Sequence, residues 1–371
     1  MQSFSKVWIC FMLFFSLCTS PYYAEELPSG TVPGDSTKVD IKITGEVDGQ
    51  LLDQLSYSLK TTNDKNEDEN TSESKGKYID MSEFNKTELN LTYTDSQNDS
   101  QQLDIIYPTV GNAPYKVIVS IHGGGWSTGD RKSSSLKAIQ MATQQGYAVV
   151  NVGYRLTDEA KWPAQLYDVK AAIRFLRANA REYRLDTRTI VVWGNSAGGH
   201  LASMLAATNG IKDMEDLSMG NSRFSSDIQG VVSWYGISDI GKLPDASIGM
   251  ADSLMGFKVR EEVEKAKLAS PIYYINKDFP PIFMIHGTND RVVPFEQSIV
   301  FAKKINNVTG KKQASLKLHI NAIHSDEQMK SIENVDECLN FIDKIMYPDR
   351  KNPYRSRRYK EIKTTSVYPS E

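Results

Sequence analysis

The chain has 371 residues, of which 40% are hydrophobic and 24% charged, the proportions of an ordinary globular protein. Its 43 Lys and Arg against 46 Asp and Glu leave a net charge of −3, so no overall basic field points to nucleic acid or to an anionic membrane. Its 18 Tyr, 13 Phe and 5 Trp are too many for a disordered chain, and its 3 Cys are too few for a disulfide scaffold.

At the start, Lys6 precedes an apolar run over residues 7–17, followed by small and polar residues up to Ala24. The run is about half of the roughly 20 residues that a bilayer span needs. Residues 1–24 therefore read as a cleaved signal peptide, and the mature protein is expected to be secreted or held in the cell envelope. Cys18 raises the question of a lipid anchor, but Leu17 is a poor match to the small residue that precedes such a cysteine. After cleavage only Cys338 remains, which suits a buried thiol.

Residues 25–36 are rich in Pro, Gly and Ser and read as a flexible lead, after which Val39, Ile41 and Ile43 alternate. Residues 60–77, KTTNDKNEDENTSESKGK, hold no aliphatic or aromatic side chain. Such a stretch cannot offset its ordering entropy, which predicts a disordered linker. It sets an N-terminal segment, residues 25–87, apart from a main body over 88–346.

In the main body, ELNLTY and QQLDIIYP alternate at period two around the turn-rich DSQNDS, an antiparallel hairpin pattern. A continuous apolar strand follows over 116–121 and runs into three glycines. AIQMATQQGYAVVNVGYR pairs a helix with a strand, the helix ending at Gln145-Gly146. AQLYDVKAAIRFLRANAREY places Leu166, Val169, Ile173, Leu176 and Ala180 on one helix face. RTIVVWGNSAGGHLASMLAAT is strand, tight turn and helix. IQGVVSWYG, PPIFMIHG and ASLKLHI supply three more strands, and a last helix spans 332–345. Strands alternating with helices predict an α/β protein with a mostly parallel sheet covered on both faces. The basic tail over 347–371 reads as solvated, with adhesion to an acidic surface as the sharper alternative.

The strongest chemical motif is Gly194-Asn195-Ser196-Ala197-Gly198, a G-x-S-x-G between a buried strand and a helix. A serine on that turn is lifted to the carboxyl end of the sheet, its neighbours kept small by passing chain. The second motif is His122-Gly123-Gly124-Gly125-Trp126, whose glycines can aim backbone N–H groups at an oxyanion. A phosphate loop is excluded because Asp130 stands where the lysine belongs, and a dinucleotide loop because Thr128 replaces the last glycine. A serine nucleophile needs a base, and the base an orienting acid. Of the five histidines, His319 and His324 come late enough; His324, in the loop NAIHSD, is preferred over His319, within a strand. Asp290, in the loop after PPIFMIHG, is the favoured acid, ahead of Asp239 and Asp326. No metal-ligand spacing, cofactor loop or nucleic-acid platform appears.

HGGGW, GYAVVNVGYRL, WPAQLYDVKAAIRFLRANA, WGNSAGGHLA, ASPIYYI and HGTNDRVVP together resemble the α/β-hydrolase esterases and lipases. The group in view includes acetylxylan and feruloyl esterases and is related to hormone-sensitive-lipase-like proteins; the likeness covers about residues 88–345. The resemblance implies the α/β-hydrolase fold, a triad of Ser196, Asp290 and His324, and oxyanion donors among Gly124, Gly125 and Ala197. It implies no cofactor, and a small-molecule or polysaccharide ester as substrate. The stretch 240–279 is expected to form a lid or substrate-shaping insertion, with Leu254, Met255 and Phe257 lining an acyl pocket or packing the lid. Two rivals are a prolyl-oligopeptidase-type peptidase, for whose propeller fewer than 90 residues leave no room, and a dead binding protein, which the intact Ser196, Asp290 and His324 oppose.

Overall fold

A computed structural model describes residues 40–44, 77–356 and 358–366. The expected leader over 1–24, the lead over 25–36 and nearly all of the linker over 60–77 lie outside them.

Strands β1 (Asp40–Thr44), β3 (Thr87–Thr92), β4 (Gln102–Ile106), β5 (Tyr115–Ile121), β6 (Tyr147–Val152), β7 (Leu185–Asn195), β8 (Gly230–Trp234), β9 (Ile282–Gly287) and β10 (Ala314–His319) make one sheet. Their order is β1-β10-β9-β8-β7-β5-β6-β4-β3. From β10 through β6 every neighbouring pair is parallel, while β4 and β3 continue antiparallel, as the hairpin pattern predicts. Parallel strands need crossovers, and these hold the helices α1 (Lys137–Gln140), α2 (Ala164–Ala178), α3 (Ala197–Ala207), α4 (Ile248–Met255), α5 (Val263–Ala266) and α6 (Glu296–Thr309), with α7 (Ile332–Met346) closing the domain.

The strand interiors read as unbroken apolar runs because both faces are covered. Val117, Val119 and Ile121 join Leu166, Ile173, Leu201 and Ile305 on one side of the sheet. Ile118, Val191 and Trp193 join Ile139, Leu339 and Ile342 on the other. Cys338 is buried in that second layer, where Trp234 Nε1 donates to its sulfur at 3.4 Å and burial pushes the thiol well up, an inert core residue.

Two expectations change. The sequence sets the N-terminal segment apart from the main body, yet β1 pairs antiparallel with β10 from Asp40↔His319 to Thr44↔Ser315. Without it β10 would be an edge strand with unpaired N–H and C=O groups, and the pairing removes that edge. The basic tail is also not a solvated terminus. Asn352 Nδ2 donates to the Gln145 carbonyl, Arg355 pairs with Asp336 and Asp343 of α7, and the Tyr359 hydroxyl donates to Asp336. The strand β11 (Thr364–Thr365) then pairs with β2 (Tyr78–Ile79). Charge counted along the chain could not show that the acids balancing this tail sit on α7. Ile362 in the tail is buried. Ile362→Ala therefore should lower unfolding free energy by about 2–4 kcal/mol in urea titration; a loss under about 0.5 kcal/mol, the scale of surface changes, would restore the solvated tail.

Candidate active site

The turn that carries Ser196 begins where β7 stops. Ser196 has φ 52° and ψ −118°, a strained backbone for a residue with a Cβ. Its N–H donates to the Trp234 carbonyl of β8 at 2.9 Å, and Ala197 opens α3 directly behind it. A methyl on Gly194 would collide with the Gly198 carbonyl, and one on Gly198 with the carbonyl of Ile121. The two outer glycines of the motif thus answer to close passing backbone. The whole of α3 is buried, so the serine is held from a fixed base.

His324 lies in the loop after β10. Its Nε2 is 3.0 Å from Ser196 Oγ and its Nδ1 2.7 Å from Asp290 Oδ2. Asp290 sits just past β9, its side chain fully buried. Its Oδ1 accepts the backbone N–H groups of Val292 and Val293 at 2.9 and 2.8 Å. Burial pushes this carboxyl up, but the hydrogen bonds from His286 and His324 overcome that and hold it well below the usual carboxylate range. A carboxylate that stays ionised keeps the His324 hydrogen on Nδ1 and leaves Nε2 as an acceptor facing the serine hydroxyl. That is the geometry of a general base.

The structure separates this set from its rivals. Asp239 caps a short 3-10 turn by accepting from Gly241 N at 3.0 Å and takes the Tyr273 hydroxyl on its other oxygen. Asp326 likewise caps the turn Glu327–Lys330. His319 is buried in β10, where Asn334 Nδ2 donates to its Nε2 at 2.8 Å.

Gly123, Gly124 and Gly125 line the same cleft of about 520 Å³ as Ser196 and His324. Gly124 has φ 109°, and any side chain there would strike the backbone of Thr128. The lining also includes Tyr235, Met250 and Val292, which offer apolar surface, and Ser127, Thr128, Ser133 and Ser135, which carry hydroxyls. Sequence reasoning missed Tyr235 and Met250. Tyr235 stands with its ring edge-on to His324, centroids 4.8 Å apart, and its hydroxyl donates to Ser325 at 3.3 Å. Its place immediately after a predicted strand was the available signal. Met250 comes from α4 (Ile248–Met255) in the insertion over 240–279 and lies over Gly125. Leu254 and Met255, one helix turn on, are buried in the core instead.

The insertion is tied down through His200. Its Nε2–H donates to the Ala269 carbonyl at 2.7 Å, which leaves Nδ1 to accept from Trp126 Nε1 at 3.2 Å. One imidazole thus joins the glycine loop, α3 and the insertion. Burial pushes it down to about 4, below its unfolded value of about 6.5, so protons favour the unfolded chain. The contribution is present above pH 6.5 and is lost as pH falls toward 4, a difference of about 3 kcal/mol. In denaturant titrations at pH 7 and pH 4, wild type should lose more stability than His200→Leu by roughly that amount; equal losses would show that His200 does not titrate in this range.

The family model BD-FAE matches residues 103–305. Among solved structures, a truncated form of a carbohydrate esterase from gut microbiota is 30% identical with a TM-score of 0.67, covering 71% of this chain and 98% of that one. The bifunctional GH43-CE protein of Bacteroides eggerthii is 31% identical with a TM-score of 0.64, covering 69% of this chain and 34% of that one. The probable carboxylic ester hydrolase LipM of Mycobacterium tuberculosis is 32% identical over 54% of this chain and 46% of its own length. The chain spans about half the length of the curated relatives it matches, with 46%, 46% and 52% of LipM, LipQ and LipC covered. A family model that matches more than half of the sequence, on a sheet of this order, shows that the chain belongs to the BD-FAE family and has the α/β-hydrolase fold.

Proposed function

We propose that the protein is a serine carboxylic-ester hydrolase working through an acyl-enzyme, with Ser196, His324 and Asp290 as its triad. The observation that carries this reading is the unbroken array from Ser196 Oγ through His324 to Asp290, at 3.0 and 2.7 Å. Ser196 Oγ attacks the acyl carbon while His324 Nε2 takes its proton, and the same proton passes to the departing alcohol oxygen as the ester bond breaks. Water, deprotonated by His324, then attacks the acyl-enzyme; the acid leaves and Ser196 regains its hydrogen. Asp290 stays ionised and stabilises the imidazolium of each step. The backbone N–H groups of Gly124, Gly125 and Ala197 are the donors proposed for the oxyanion.

The acyl group is proposed to be short. Met250, Val292 and Tyr235 offer a small apolar surface, and each methylene left in water forgoes about 0.8 kcal/mol. The hydroxyls of Ser127, Thr128, Ser133 and Ser135 in the lining favour a polar alcohol. Together with the export proposed from residues 1–24 and the likeness to a carbohydrate esterase from gut microbiota, this supports acetyl or feruloyl esters of polysaccharides. Rates on p-nitrophenyl esters from two to sixteen carbons should peak in kcat/KM at the short end, with acetate released from acetylated xylan. A maximum at long chains would move the protein to the lipases, and a short-chain maximum without polysaccharide activity would leave a general carboxylesterase.

A further inference from the structure

Asp290 faces two imidazoles, and the mechanism above uses only one. His286, the fifth residue of β9, is fully buried, and its Nε2 is 3.1 Å from Asp290 Oδ2, the oxygen that also receives His324. The same Nε2 is 2.8 Å from the Val293 carbonyl. Two acceptors around one ring nitrogen fix the hydrogen there. The other nitrogen, Nδ1, is 2.7 Å from Ser298 Oγ near the start of α6, a contact that holds the ring in place whichever group donates. The Nε2 hydrogen is thus present and aimed at Asp290 Oδ2 and the Val293 carbonyl. Counting both oxygens, the Asp290 carboxylate receives Val292 N–H, Val293 N–H, His324 and His286, which fills the roughly four acceptor positions a carboxylate has.

We propose that His286 is a positioning residue for the reaction: its Nε2–H holds Asp290 Oδ2 in the plane that meets His324 and shares the negative charge of that oxygen. The proposal rests on the triad reading above. The consequence has a sign. With the His286 donor gone, Oδ2 carries more unsatisfied charge toward His324, so imidazolium is favoured and the base is lost at a higher pH. At the same time the carboxylate gains freedom to turn, and proton transfer from Ser196 slows.

Two substitutions separate this role from plain packing. In His286→Gln the side-chain amide can place an N–H where Nε2 was, whereas in His286→Asn the amide reaches only the Nδ1 position. The Asn chain should show the acidic limb of its kcat/KM–pH profile about half a unit or more higher, the size of one lost hydrogen bond. Its kcat should fall at least about tenfold, and the Gln chain should restore most of both. If the Asn chain does not fold, His286→Met, which keeps the volume and lacks the donor, takes its place with the same two outcomes. Limbs that coincide in wild type and the donor-free chain, or a shift of equal size with Gln, would overturn the role of His286. Organophosphonate labelling of wild type at Ser196 runs in parallel. Absence of that label overturns the triad reading itself, while a label at Ser196 with coincident limbs overturns only the inference about His286.

Discussion

The Ser196→Ala chain takes up no organophosphonate, and its kcat on a short-chain ester falls by about 10⁴–10⁶. The size follows from how the site is built. Ser196 Oγ is the atom aligned with His324 Nε2 at 3.0 Å. Stability should be nearly unchanged. Alanine keeps the Cβ, so the strain at φ 52° is the same in both chains, and the neighbouring backbone already tolerates it. Mass spectrometry of the labelled wild type identifies the serine, and adduct on any residue other than Ser196 would sink this assignment.

The second expected result sets the two late histidines against each other. His324→Ala should lose activity on the scale of the serine change, since the base and the bridge to Asp290 vanish together. His319→Ala should keep kcat within a few-fold and instead unfold more easily. His319 is buried beneath α7, and its loss leaves the Asn334 amide short of an acceptor, a defect of about 1–3 kcal/mol. Steady-state rates and urea midpoints on both chains decide the matter. An active His324→Ala chain beside an inactive His319→Ala chain would reverse the roles.

What the sequence made legible is whatever is encoded locally. The alternation of β3 and β4, the buried runs of β5 to β10 and the glycine spacing around Ser196 are each written within a dozen residues. The placement of His319 inside a strand and of His324 in the loop beyond it was legible too, because period two runs through LKLHI and stops there. The acids were harder. Asp239, Asp290 and Asp326 all follow an element and all accept from a backbone N–H two residues on. What distinguishes Asp290 is a second oxygen turned inward to two imidazoles, a fact of tertiary approach. The docking of β1 and of the tail was hidden for the same reason: their partners on β10 and α7 lie far away in the chain. Met250 looked like one apolar residue among many in the insertion, and only its approach to Gly125 sets it at the cleft.

The tail has a further consequence, which concerns where a cargo would ride. Thr365 accepts from Lys77 N, and Lys77 in turn accepts from Ser134 N, beside the Ser133 and Ser135 that line the cleft. Residue 365 is thus one intervening strand away from the rim of the cleft, although almost 170 residues separate it from Ser196 along the chain. A module fused behind residue 366 would start two backbone hydrogen bonds from Ser134, beside the cleft. For a polymer-binding module this attachment point shortens the path from captured chain to nucleophile; for a bulky reporter it crowds the entrance.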